Sequence, residues 1–342
     1  MRLRCAIVSA VILILAMGIG AGAEEFYKGK FVTFTVGYSP GGSFDSYTRL
    51  LARHMPAHIP GGPKAVVKNM TGAGGLISAN YMYNRAPRDG TAVGGWGGAL
   101  VLQDVLGRKA IQFDGRKFGW LGTPAPYNTV CSFNSQSGIK NVEDWFAAKK
   151  PVTIAGFAPG STPSDVPKLL NAALGLPLRV IEGYRGGAKA RLAVEMGEVD
   201  GYCGSWQTVK SIWREPFETG KVRVVIQTNL QSHPELQKVP LAMDYAKTDE
   251  ARQLVTVMDY AYSAPFKYSV PPDVPRDRLK ILQRAFVKAL EDPKLLATAK
   301  KAKMEIVGVD GPATAKIVAE LYEMNAATKS KLRSILLPKT GQ

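Results

Sequence analysis

Two glycine-rich turns near the start of the chain are built to hold an anion without a catalytic side chain. They are Tyr38-Ser39-Pro40-Gly41-Gly42-Ser43-Phe44-Asp45 and Asn69-Met70-Thr71-Gly72-Ala73-Gly74-Gly75. Each follows a short apolar run, residues 31–36 and 65–67, and opens onto an amphipathic stretch, so each reads as a strand-to-helix corner. At such a corner the first helical N–H groups lack an intrahelical partner, and the helix dipole adds partial positive charge. A carboxylate or phosphate can be met there by backbone alone, and glycine lets it come close. The competing reading of the same residues is a pair of ordinary tight turns.

Groups for covalent or metal chemistry are sparse. None of the 3 histidines stands beside a candidate nucleophile. The chain has no Gly-x-x-x-x-Gly-Lys phosphate loop and no Gly-x-Ser-x-Gly elbow, and Ile77 stands where a dinucleotide fingerprint beginning at Gly72 needs its third glycine. His54 and His58 have helical i, i+4 spacing, but Pro56 between them disrupts the helix that would align them. No metal and no cofactor is expected, and an exported enzyme is the weaker alternative to a binding protein.

The elements that position the turns begin after a leader. Arg2 and Arg4 precede an apolar run over 6–19, and Ala21-Gly22-Ala23 supplies small residues before Glu24-Glu25. This predicts a signal peptide over 1–23, cleaved after Ala23. Its apolar core falls short of the ~20 residues that span a bilayer, and Cys5 precedes that core instead of marking a lipoprotein cleavage site. Export leaves Cys131 and Cys203, which in an oxidising compartment are either bridged or two buried thiols. Loss of Arg2 and Arg4 removes two of 44 basic residues and none of 28 acidic ones, for a mature net charge of +14. The basic residues are scattered, without an aromatic-interleaved run, which argues against nucleic acid; the field suits anionic solutes or a negative partner surface.

Apolar residues at Tyr47, Leu50, Leu51 and Met55 predict a helix over 45–55. A second helix over 76–83 stops at Ala86-Pro87, and a strand over 91–93 leads into a loop, Gly94-Gly95-Trp96-Gly97-Gly98. After Pro124 the rhythm restarts. Strands are expected over 130–133, 152–156 and 179–181, and helices over 142–149, 165–174 and, after the loop 183–187, through Arg191, Leu192 and Met196; residues 197–203 close that helix and start a further strand. The fold class is α/β, with parallel strands and crossover helices repeated in two lobes. Ligands of such sheets bind beyond the carboxyl ends of the strands, so facing lobes make a cleft. Pro124-Ala125-Pro126 and a strand-like Tyr260-Ala261-Tyr262-Ser263-Ala264-Pro265 set the boundaries: lobe 1 is 26–126 plus 262–342, and lobe 2 is 127–261.

The order Pro40-Gly41-Gly42-x-x-Asp45-x-x-x-Arg49, Asn69-x-x-Gly72-Ala73-Gly74, Ala86-Pro87-x-Asp89-Gly90-Thr91, Tyr184-x-Gly186 and Gly197-Glu198-Val199-Asp200 resembles the periplasmic receptors of tripartite tricarboxylate transporters, over roughly residues 26–330. The resemblance implies a two-lobed type II periplasmic binding protein fold, a periplasmic monomer that closes over a small organic acid and delivers it to membrane permease subunits. The ligand carboxylate would be met largely by backbone N–H groups and ordered waters. From the first lobe the implied ligand set is Tyr38, Ser39, Gly41, Gly42, Phe44, Asp45, Asn69, Gly72, Ala73, Gly74 and Trp96. From the second it is Gly160, Ser161, Thr162, Tyr184, Arg185, Gly186, Asp200 and Ser205.

Departures from the family pattern bear on the ligand. Ser43-Phe44 stands where small residues are frequent, Trp96 follows the third strand, and Arg185 separates Tyr184 from Gly186. Phe44 and Trp96 either stack on an aromatic or elongated acid or fill space. Arg185 either pairs with a carboxylate or is a solvated rim cation. Asp45 reads also as a helix N-terminal acid that steadies its loop, and Asp200 as a strand residue orienting its neighbours. In the implied fold the strand entering the second lobe lies beside the one after the Gly-x-Val-Asp turn, which pairs Cys131 with Cys203 in a disulfide. A receptor presenting its ligand to a membrane sensor would share this fold and cleft.

Overall fold

The computed structural model describes residues 26–125, 128–262 and 266–337. The expected leader lies outside these residues, as do 126–127, where the first expected lobe boundary falls, and 263–265, just after the second. The strands are β1 (Phe31–Val36), β2 (Lys64–Asn69), β3 (Ala92–Gly97), β4 (Gly119–Thr123), β5 (Thr129–Asn134), β6 (Val152–Ala155), β7 (Leu178–Ile181), β8 (Gly201–Ser205), β9 (Val222–Gln227), β10 (Phe266–Val270) and β11 (Val309–Asp310). They form a six-stranded sheet in the order β11-β4-β10-β3-β1-β2 and a five-stranded sheet in the order β7-β6-β8-β5-β9. The fold is α/β and two-lobed.

The sheets are mixed, so the expectation of parallel strands holds for part of each sheet and is corrected for the rest. β1 runs parallel to β2 and β3, and β6 parallel to β7 and β8. β10 is antiparallel to β3 and β4, and β5 to β8 and β9. The reason is topological. Each of β5 and β10 follows chain that belongs to the other sheet, so it enters at the edge where parallel strands end and must run away from it.

In β1 the alternating Val32, Phe34 and Val36 are fully buried, as a strand period of two requires. Helix Ser43–His54 covers that face with Tyr47, Leu50 and Leu51, beside Phe266 and Phe286. The opposite face buries Trp96 among Phe113, Phe118 and Trp120. In the second sheet Phe133, Ile154 and Leu169 lie on one side and Tyr202, Trp206 and Trp213 on the other. Burial of this size, at about 25 cal/mol per Å² of apolar surface, is the main favourable term in the fold.

Two local expectations change. β3 continues through Gly94-Gly95-Trp96-Gly97, which the glycines had suggested was a loop. A Cβ on Gly95 would lie 2.9 Å from the Tyr268 ring of neighbouring β10, so close packing of that ring requires a glycine inside the strand. Residues 260–262, expected as strand-like, end helix Asp249–Tyr262, whose Leu254, Val255, Met258, Ala261 and Tyr262 are buried at helical spacing.

Cys131 and Cys203 stand opposite each other in the β5–β8 ladder and are bonded as a disulfide. The C-terminal helix Ala326–Leu336 leaves the first sheet's surroundings and packs Leu332 and Leu336 into the same cluster as Cys131, Phe133 and Leu169. Ala99 and Leu102 of helix Ala99–Val105, which follows β3, join that cluster too. No helix among the described residues is long and apolar enough to cross a membrane.

Candidate functional site

The first loop is held by its own charges. Asp45, 4% exposed, accepts from Gly41 N–H (3.0 Å), Arg49 Nε (2.9 Å) and Asn69 Nδ2 (2.9 Å). Asn69 also donates to Tyr38 O (2.9 Å) and accepts from Arg49 Nη2 (3.1 Å). Burial by itself would raise the Asp45 pKa, but the hydrogen bonds from Arg49, Asn69 and Gly41 outweigh it and hold the carboxyl below its ordinary value. Asp45, Asn69 and Gly41 thus shape the loop from behind.

In front of that frame the two sheets enclose a cavity. Its first-lobe wall is Tyr38, Ser39, Gly42, Ser43, Phe44, Gly97 and Ala99; its second-lobe wall is Phe157, Gly160, Ser161, Thr162, Pro163, Gly187, Tyr202 and Thr208. Tyr38 and Phe44 stack with centroids 4.1 Å apart, and Phe44 meets Phe266 edge-on. Across the cavity Phe157 stacks on Tyr202 at 6.1 Å. Tyr38 Oη donates to Gly74 O (3.0 Å), which ties the first loop to the second. The lobes touch through Ser39 Oγ donating to Arg185 O (2.7 Å), through the Ser43 and Thr208 hydroxyls, and through Gln103 Nε2 donating to Asp165 (2.9 Å).

The cavity is an electropositive place made largely from backbone. The N-termini of helices Ser43–His54, Thr162–Leu174 and Gly187–Glu195 open on it, their first residues being among the lining. Their leading N–H groups precede the first intrahelical bonds, Ser46 N–H to Gly42 O and Ala190 N–H to Gly186 O. No acidic side chain is in the lining. Asp165, fully buried one layer back, is engaged by Gly160 N–H, Gln103 Nε2 and Tyr262 Oη (2.8 Å). Burial raises its pKa to about 6 despite those donors. Lys267, 2% exposed, places Nζ 2.9 Å from where a Cβ on Gly98 would stand; burial lowers its pKa to about 8.

Of the residues singled out from sequence, Tyr38, Ser39, Gly42, Phe44, Gly160, Ser161 and Thr162 line the cavity. Gly72, Ala73, Gly74, Tyr184 and Arg185 line a second recess that shares Tyr38 and Phe157 with it. Arg185 is exposed there, and Tyr184 Oη donates to Glu198 (2.6 Å). Gly186 abuts the cavity, where a Cβ would lie 3.5 Å from Ser39 Cβ. Ser205 caps helix Trp206–Ser211 and bonds Thr208 Oγ1 (2.7 Å) beneath the lining. Asp200 accepts from Thr153 N–H and Oγ1 between β6 and β8, away from the cavity. Trp96 is likewise outside it: fully buried, with Nε1 donating to Ser269 Oγ (3.0 Å). The sequence-derived ligand set missed Ser43, Gly97 and Ala99 on the first wall and Phe157, Pro163, Gly187, Tyr202 and Thr208 on the second. Tyr202 and Thr208 follow the Gly197-Glu198-Val199-Asp200 turn, but nothing local marks them as cleft-facing.

Among the described residues no group of three or more His, Cys, Asp or Glu is placed to hold a metal ion. The match to the model of the tripartite tricarboxylate transporter family receptors covers residues 49–332. A Pseudomonas sp. (strain P51) protein, the UPF0065 protein in the tcbD-tcbE intergenic region, is 24% identical over 313 residues, 90% of this chain and 87% of its own. Among solved structures, the periplasmic binding protein BugD superposes with a TM-score of 0.74 at 20% identity, over 90% of this chain and 98% of its own. MatC from Rhodopseudomonas palustris, solved with bound malate, superposes with a TM-score of 0.73 at 19% identity, over 89% of this chain and 98% of its own. Those structures share the two-lobed fold, and the family match covers most of the chain, including the whole second-lobe wall of the cavity and Gly97 and Ala99 of the first: the chain belongs to the receptor family of the tripartite tricarboxylate transporters.

Proposed function

We propose that this chain captures a small organic acid in the interlobe cavity and hands it, unchanged, to the membrane permease subunits of a tripartite transporter. The observation that carries the reading is the convergence of helix N-termini from both lobes on one cavity with no acid in its lining. Malate bound in MatC, a protein of the same fold, supports a carboxylate as the cargo. The lobes we assign are 26–126 with 262–342 and 127–261, with the last helix reaching back onto the second. The leader over 1–23 directs the chain to the periplasm.

A thermal-shift screen of di- and tricarboxylates, aromatic acids and amino acids tests the proposal, followed by calorimetry on each hit. A ligand at 100 times its dissociation constant should stabilise the protein by about 2.7 kcal/mol. The bound acid should be recovered chemically intact. No binding to any acid, or conversion of one, would refute the reading.

A further inference from the structure

One buried cation next to the cavity keeps an unpartnered nitrogen. Arg191, in the second turn of helix Gly187–Glu195, is 7% exposed, and its Nη1 has no hydrogen-bond partner. No carboxylate among the described residues forms an ion pair with it; Glu195, one turn on, is exposed. Burying an unpaired guanidinium costs several kcal/mol, so buried charges are ordinarily paired. Side chains on a helix lean toward its N-terminus, which carries the guanidinium back toward Gly187. A Cβ built on Gly187 would stand 3.3 Å from Arg191 Nη1 and 3.5 Å from Tyr202 Oη. Gly187 and Tyr202 both line the cavity. With no side chain at Gly187, only the glycine backbone stands between the cavity and both groups.

We infer that Arg191 is the residue that takes a carboxylate of the ligand, which accepts from the guanidinium, from Tyr202 Oη and from the leading N–H groups of helix Gly187–Glu195. This rests on the carboxylate-binding reading and names the charge that selects within it. The pole differs from the backbone-and-water recognition that the family resemblance implies, because it discriminates a carboxylate from a neutral group of the same shape. A neutral amide would leave the guanidinium buried and unpaired, whereas a carboxylate converts it to a charge-assisted pair. Arg185, the exposed arginine of the preceding loop, offers no such discrimination, since its charge is met by water in either case.

The test is calorimetry on the mature protein, Arg191→Gln and Arg191→Lys, with succinate, malate, adipate, citrate and benzoate, and with the diamides of the first three. Melting without ligand is recorded for each variant. The wild type should prefer a dicarboxylate to its diamide, and Arg191→Gln should lose roughly 30-fold or more in affinity for the acid while the acid-to-diamide preference collapses. Arg191→Lys should recover part of the loss. The melting temperature of unliganded Arg191→Gln should be equal to or above that of the wild type, because the substitution removes an unpaired buried charge. Gly187→Ala gives an independent check, since its methyl would stand between the cavity and both groups and should weaken acid binding with Arg191 still in place. Equal acid affinity in wild type and Arg191→Gln would overturn the inference and leave the carboxylate reading intact. A fall in stability with affinity unchanged would make Arg191 structural. Failure of the wild type to bind any of the acids would sink the carboxylate reading, and this inference with it.

Discussion

The two walls of the cavity differ in how they treat buried charge. On the first-lobe wall the loop's charge is matched nearby: Asp45 is held by Arg49, Asn69 and Gly41 N–H, and the loop is closed around a satisfied network. On the second-lobe wall the buried Asp165 is likewise held, by Gly160 N–H, Gln103 Nε2 and Tyr262 Oη, but the buried guanidinium of Arg191 keeps Nη1 without a partner. Fully matched charges fix a backbone shape and have nothing left for a ligand. An unmatched one costs stability and keeps its capacity for a partner that arrives later. The difference suggests a division of labour in which one wall supplies a fixed frame and the other reads the cargo.

The largest effect should come from separating scaffold from recognition in the second lobe. Replacing Cys131 and Cys203 together by Ala removes a cross-link over a sequence separation of 72, and should lower stability by about 2–4 kcal/mol in denaturant unfolding. Ligand affinity should stay within about threefold, because the bridge joins two strands of one sheet and does not span the lobes. An affinity collapse would show that the second wall's reading depends on its cross-link. The first wall should behave differently under Asp45→Ala. Loss of three hydrogen bonds around a buried acceptor should lower stability by about 2–3 kcal/mol, and affinity should fall in parallel, since the backbone donors of the loop lose their frame. If affinity survives there, the first loop is not a rigid frame.

The smallest expected effect is a pH dependence on the second wall. The folded pKa of Asp165 is raised from 3.8 to about 6, so between those values the folded protein holds a proton that the unfolded chain has lost. The stability contributed by this group is present in acid and is lost as pH rises from about 4 through about 6. Relative to Asp165→Asn, the wild type should lose on the order of 2 kcal/mol across that window, measured as the difference between two urea titration series. The Asp45 shift has the opposite direction, so Asp45→Ala should diverge from wild type with the opposite sign. Parallel curves for Asp165→Asn and wild type would remove the asymmetry between the walls.

The first wall was legible in the sequence because its information is local. Pro40-Gly41-Gly42 and Gly72-Ala73-Gly74 mark corners by composition, and Asp45, Arg49 and Asn69 lie within a few turns of them. The same rule failed at Gly94-Gly95-Trp96-Gly97, where glycine serves the packing of Tyr268 inside a strand. Trp96 then turns inward to the core, not outward to a ligand. The second wall was hard to read because Phe157, Gly187, Tyr202 and Thr208 come from separate elements that only the β6-β8-β5 pairing brings together. One hint for Arg191 was available. It stands between Ala190 and the buried Ala193 and Val194, on the face that an amphipathic helix turns toward the core.

The last helix, Ala326–Leu336, has a bearing on how the molecule can be taken apart. Leu332 and Leu336 belong to the apolar cluster of the second sheet, as do Ala99 and Leu102 from the segment after β3. That cluster is therefore assembled from three separate stretches of chain, and residues 128–262 expressed alone would present an uncovered apolar face to water. The second lobe is not an autonomous module that could be swapped between relatives as one cassette. A chimera that exchanges cargo specificity would have to transplant the residues around 99–106 and the terminal helix along with it, and a library built on residues 128–262 alone would report solubility defects before it reported anything about ligands.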